Sequence, residues 1–170
     1  MSLRTVVVVG NPKPASRTLD AALHVARELG GVEPELVVDL ALVGPDLLDW
    51  SSPVVADLVA AVGAADLVVV ASPTYKGSYA GLLKLFLDRF AGGTGLTGLA
   101  VPVMLGGSAA HALAPELLPR PVLTELGATV PGRGLFVLDS AHADPVAYEP
   151  WLEASRPPVA DLLTGRGVFV

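Results

Sequence analysis

Leu67-Val68-Val69-Val70-Ala71, followed at once by Ser72-Pro73, constrains this chain more than any other stretch. An unbroken apolar run with three consecutive valines reads as a strand covered on both faces, the kind found in parallel sheets. Proline lacks the N–H that a ladder needs, so the strand is expected to stop at Ser72-Pro73. From Tyr79 the spacing turns helical, with Leu82, Phe86 and Phe90 four apart and Leu83 and Leu87 beside them, which predicts a helix over 79–90. The loop between strand and helix therefore lies at the carboxyl end of a central strand, where open α/β sheets bind ligands. It is rich in backbone amides and holds Tyr75, Lys76 and Tyr79, a composition better suited to a flat, electron-accepting ring than to a nucleophile.

The rest of the chain repeats the alternation. Thr5 to Val9 is a β-branched run ending in Gly10-Asn11-Pro12-Lys13-Pro14-Ala15-Ser16-Arg17-Thr18. A helix with Leu19, Ala22, Leu23, Ala26 and Leu29 on one stripe follows, stopped by Gly30-Gly31. Glu35 to Leu40 reads as a second strand, and Ser52-Pro53 opens a helix to about Val62. Leu99 to Leu105 and Gly134 to Leu138 supply strands four and five. Pro115, Pro119 and Pro121 predict an irregular helix over 111–127, regular from Pro121. Tyr148 to Thr164 reads as a last helix interrupted at Pro157-Pro158. The expectation is one α/β domain over 1–170, a flavodoxin-like three-layer sandwich with a five-stranded parallel sheet in the order 2-1-3-4-5.

Composition narrows the classes. At 170 residues the chain can bury roughly 70% of its unfolded surface. No run of eighteen apolar residues indicates a membrane span. The absence of cysteine excludes thiolate chemistry and suggests the cytoplasm. A net charge of −6 without basic clusters argues against nucleic acid. The chain is 52% hydrophobic and only 16% charged, and an excess of apolar surface points to a second copy of the chain. The apolar helix over 79–90 is the expected contact of a homodimer or homotetramer.

Three loops carry candidate chemistry. Ser16, Arg17 and Thr18, with Lys13 nearby, open a helix whose free N–H groups suit a phosphate. The blander alternative is an ordinary Ser16 cap with solvated bases. No dinucleotide glycine fingerprint and no P-loop is present, so a mononucleotide is expected. Backbone amides of 74–77, between Pro73 and Gly77, suit the polar edge of a flavin with Tyr75 over its plane, although Tyr75 and Tyr79 also suit an interface. Gly106-Gly107-Ser108 closes strand four beside the same crevice, and His111 just beyond is either a hydrogen-bond donor there or structural.

With those residues assembled, the chain resembles the NAD(P)H-dependent FMN reductases. The matching motifs are Gly10-Asn11-Pro12-Lys13 through Ser16-Arg17-Thr18, Ser72-Pro73-Thr74-Tyr75-Lys76-Gly77-Ser78-Tyr79-Ala80-Gly81, and Gly106-Gly107-Ser108 with His111 and Pro121-Val122-Leu123. The branch it looks most like serves two-component alkanesulfonate monooxygenases. The resemblance implies FMN reduced by NADPH or NADH and a dimer or tetramer, with a flavin-dependent monooxygenase as possible partner. It implies phosphate contacts from Ser16, Arg17 and Thr18, ring contacts from Pro73, Thr74, Tyr75, Lys76 and Gly77, and Gly107 and Ser108 beside the ring. Asn11 and Lys13 stand where serine and arginine are frequent, and Leu117 where some members carry an aromatic. Hydride transfer is the cofactor's chemistry, so no catalytic side chain is assigned. A quinone- or azo-type FMN reductase and a non-enzymatic flavin electron carrier are the alternatives.

Overall fold

Five buried side chains in succession make Thr5–Val9 the first strand, β1. The structure, a computed structural model, describes residues 2–168. Ser16 caps the helix α1 (Arg17–Gly30), its Oγ accepting the Leu19 N–H at 3.3 Å. Gly31 ends that helix with φ +69, a left-handed conformation that glycine adopts at little cost. β2 (Leu36–Asp39) and two 3-10 turns lead to α2 (Pro53–Gly63), capped by Ser52 with proline in its first turn. β3 (Leu67–Tyr75), a short β4 (Ser78–Tyr79) and α3 (Gly81–Leu87) follow. The remainder comprises β5 (Leu99–Gly106), α4 (Ala114–Leu117), α5 (Pro119–Glu125), β6 (Leu135–Leu138) and α6 (Glu149–Gly165).

The parallel strands lie in the order β2-β1-β3-β5-β6, with β4 antiparallel on β3. This is the expected flavodoxin-like order, renumbered because a short hairpin strand precedes the fourth parallel one. Val7, Val69 and Val101 lie side by side across the three central strands. Val7, Val9, Val69, Ala71 and Val103 face α1 and α6, while Val6, Val8, Val68, Val70 and Ala100 face α2, α3 and α5. A strand covered on both faces has no polar side, which is why these runs are continuous rather than alternating.

Four local expectations are corrected. β3 does not stop at Ser72-Pro73 but runs on to Tyr75, with Pro73 paired to Leu105. Its last partner in β1 is Val9 opposite Ala71, whose carbonyl accepts the Gly10 N–H at 2.8 Å. Alternate residues turn their backbone groups the same way, so the missing N–H of Pro73 faces the side where β1 has already ended. Secondly, the helix is Gly81–Leu87 rather than 79–90, because Tyr79 belongs to β4. Its apolar excess is largely consumed internally: Leu83, Phe86, Leu87 and Phe90 are buried under the sheet, and Leu85 is the large side chain left 38% exposed. Thirdly, regular helix begins at Pro119, because prolines at 119 and 121 both fall in the first turn, where no N–H is needed.

Fourthly, α6 continues through Pro157 and Pro158. Each proline removes a bond to the carbonyl four residues earlier, at a cost of roughly 3 kcal/mol. Burial of Leu152, Val159 and Leu163 against the sheet and α1 offsets that loss. Arg156 also reaches Glu28 of α1 at 2.5 Å.

Candidate active site

The loop after β1 is tied at three points. Asn11, 8% exposed, accepts the Lys13 N–H on Oδ1 at 2.9 Å and donates from Nδ2 to Thr18 Oγ1 at 3.0 Å. Ala15 adopts φ +47 and donates its N–H to Asp39 Oδ2 at 3.1 Å. Asp39 Oδ1 accepts the Ala41 N–H at 3.3 Å, so one buried carboxylate joins the loop to the end of β2. The N–H groups of Arg17 and Thr18, in the first turn of α1, have no intrahelical acceptor and carry the positive end of the helix dipole.

Next to this loop β3 outlasts β1. Pro73 and Tyr75 share the face of Val69 and Ala71, toward α1, whereas Thr74 points to the other face. Thr74 Oγ1 is buried without a partner, and a methyl group on Gly106 would come within 3.2 Å of it. Lys76 and Gly77, with φ of +53 and +81, form the two-residue turn between Tyr75 and Ser78. Positive φ at both central positions is what a type I′ hairpin requires. Ser72 Oγ secures the return by accepting the Ala80 N–H at 2.9 Å.

A hollow of about 220 Å³ opens at the carboxyl ends of these strands. Asn11, Lys13, Arg17 and Thr18 line it from the first loop, Pro73 and Tyr75 from β3, and Asp139 from just beyond β6. Ser16 lies buried as the helix cap rather than in the lining. Gly107 stands at the rim, where a methyl group would lie 4.0 Å from Asp139 Oδ2. Ser108 is exposed beside it and caps the 3-10 turn Ala109–His111, accepting the Ala110 N–H at 3.2 Å. His111 is not in this hollow. With Gly77, Leu113 and Leu117 it lines a neighbouring one of about 340 Å³.

The lining of the hollow carries two cations, Lys13 and Arg17, against one carboxylate, Asp139. Of the eleven lysines and arginines, Lys13, Arg17, Lys76 and Arg133 alone among the described residues have side chains without a hydrogen-bond or ion-pair partner. Two of them line the hollow and Lys76 adjoins Tyr75. Sequence reasoning missed Asp39 and Asp139, both of which sit at the carboxyl end of a strand, the one signal that would have drawn attention to them. Among the described residues no cluster of three histidines or carboxylates could hold a metal, and no helix is long and apolar enough to cross a membrane.

A doubly wound parallel sheet with a helix start and a two-residue hairpin turn flanking one hollow at the carboxyl ends of its strands defines the flavodoxin-like class of fold. Residues 3–143 match the family model described as NADPH-dependent FMN reductase, and the chain belongs to that family of oxidoreductases. The FMN reductase (NADPH) of Escherichia coli K12 is 31% identical over 146 residues, 84% of this chain and 76% of that protein. The NADH-dependent FMN reductase SfnF of Pseudomonas fluorescens is 33% identical over 153 residues, 84% of this chain and 80% of the relative. Among solved structures, the apo form of the NADH:FMN oxidoreductase EMOB superposes with a TM-score of 0.81 at 29% identity, covering 94% of this chain and 90% of that one.

Proposed function

We propose that this protein is an NAD(P)H-dependent FMN reductase that acts as one flavodoxin-like domain over its 170 residues. The observation that carries the reading is the hollow in which Thr18, the start of α1 and the unpaired Lys13 and Arg17 converge. That donor set suits a dianionic phosphate: hydrogen bonds to charged groups are worth about 1.5–3 kcal/mol each. Asn11 orients Thr18, and Ser16 keeps the helix start in place. Tyr75, Lys76 and Gly77 of the hairpin, with Gly107 and Ser108, would border the planar ring. Bound FMN supplies the hydride-accepting ring. Thr18, Lys13, Arg17 and the start of α1 would hold its phosphate, and the protein would need no acid or base of its own. His111 lines the neighbouring hollow with Gly77, and there it would be available to donate to the nicotinamide.

The reduced flavin is proposed to pass to a flavin-dependent monooxygenase in the cytoplasm. The protein is proposed to be a homodimer or homotetramer through the α3 region, where an apolar groove of about 440 Å³ lies between α3 and α5 beside Phe90 and Val122. The deciding experiment measures NADPH and NADH oxidation by purified protein with FMN, FAD, riboflavin or no flavin, alongside its mass in solution. FMN-dependent turnover, with KM for FMN raised at least tenfold in Arg17→Ala, is expected. No oxidation with any flavin by folded protein would overturn the enzyme reading.

A further inference from the structure

We propose that Asp139 receives the ribityl hydroxyls of FMN, an assignment that rests on the FMN reading above. Asp139 is the first residue after β6 and brings the one carboxylate into the lining of the hollow. Although Lys13 and Arg17 line the same space, the Asp139 carboxylate has no hydrogen-bond or ion-pair partner among the described residues. Its backbone is nevertheless firmly held. His142 Nδ1 lies 2.9 Å from the Asp139 carbonyl, and the His142 carbonyl accepts the Tyr148 O–H at 2.7 Å. Tyr148 is itself 1% exposed and packs against His24 of α1 at a ring-centroid distance of 4.5 Å. A side chain with an anchored backbone and an uncommitted head group is arranged for a ligand.

The chemistry selects which part of the ligand. A carboxylate accepts hydrogen bonds and donates none, so it matches donors and repels phosphate. The sugar-alcohol chain of FMN carries the ligand's hydroxyl donors and lies between the phosphate and the ring. Asp139 reaches both territories: it shares the hollow with Arg17 and Thr18, and its Oδ2 lies beside Gly107 at the rim. The ring offers a competing donor at N3, and this difference makes the assignment testable.

Calorimetric titration of FMN, riboflavin and lumiflavin into the wild type, Asp139→Ala and Asp139→Asn separates the possibilities. Riboflavin keeps the hydroxyls without the phosphate, and lumiflavin keeps the ring and N3 without either. Asp139→Ala is expected to weaken FMN and riboflavin by roughly ten- to hundredfold while leaving lumiflavin unchanged. Asp139→Asn, whose amide oxygen still accepts, is expected to recover part of the loss at an unchanged thermal midpoint. Equal weakening of all three flavins would assign Asp139 to the ring or to the shape of the hollow and overturn the proposal. So would unchanged binding throughout, or a tightening confined to FMN, which would make the carboxylate a repulsive neighbour of the phosphate. A wild-type protein that binds no flavin would sink the FMN reading itself, an outcome visible before any variant is compared.

Discussion

Asp39 holds Ala15 across the gap between β2 and the first loop, its Oδ2 accepting the Ala15 N–H at 3.1 Å. Ala15 is left-handed at φ +47, a conformation that costs a non-glycine residue roughly 1–2 kcal/mol and persists only when its surroundings enforce it. Asp39→Ala strips the acceptor from both Ala15 and Ala41. The variant is expected to lose about 1–3 kcal/mol in urea unfolding and about tenfold in FMN affinity, because the loop that presents Lys13 and Arg17 is released. Loss of stability without loss of affinity would show that the loop holds its shape by other means.

Lys76 occupies the first central position of the hairpin turn at φ +53, where asparagine or glycine fits better. Lys76→Asn is therefore expected to raise the thermal midpoint by about 1–3 °C, on the scale of a few degrees per kcal/mol for a chain of this size. The same change removes an unpaired cation next to Tyr75, and kcat/KM for FMN is expected to fall several-fold. A gain in both properties would leave the lysine without a role.

Burial pushes the Tyr148 hydroxyl up from its ordinary value near 10 to about 12, with the nearby Asp20 charge adding to the effect. The folded state thus keeps this proton after the unfolded chain has lost it. The resulting stability is complete below pH 10 and declines as pH rises through the interval to about 12. Tyr148→Phe is expected to cost about 0.5–1.5 kcal/mol at neutral pH through the lost bond to the His142 carbonyl. Its urea midpoint should also fall less steeply than that of the wild type above pH 10. Parallel pH profiles would remove Tyr148 from the alkaline transition.

Gly10 lets the end of β1 touch α3. A methyl group there would overlap the Leu83 Cβ and lie 2.9 Å from its Cα. Gly10→Ala is expected to cost about 1–3 kcal/mol or more by overpacking, read as a lowered urea midpoint. An unchanged midpoint would mean that α3 shifts freely.

The sheet was legible because a doubly covered strand announces itself as an apolar run, and five such runs alternating with helices point to the flavodoxin-like order. Pro73 misled because a proline stops a strand only where its missing N–H would have had a partner, and β1 ends too early to offer one. The Lys76-Gly77 turn is hidden for the same reason: a strand that ends at Ser72 leaves no partner for a hairpin. Pro157 and Pro158 misled in the opposite sense, since their local cost is visible in sequence and the burial that outweighs it is not. Asn11, Lys13, Arg17, Thr18, Pro73 and Tyr75 do meet in one hollow, because strand order alone brings their loops together. Asp39 and Asp139 escaped notice because an isolated aspartate after a strand looks like any solvated turn residue until its neighbours are known.

The uncommitted Lys13 and Arg17 stand on a chain of net charge −6, so far field and near field oppose each other for an anionic visitor. At a distance the protein repels a flavin phosphate. Within a screening length of about 8 Å at physiological ionic strength, the unpaired Lys13 and Arg17 at the hollow would attract it. Moderate salt damps the distant repulsion before it weakens the close contacts. If the hollow takes the FMN phosphate as proposed, capture of the ligand would thereby be buffered against ionic strength.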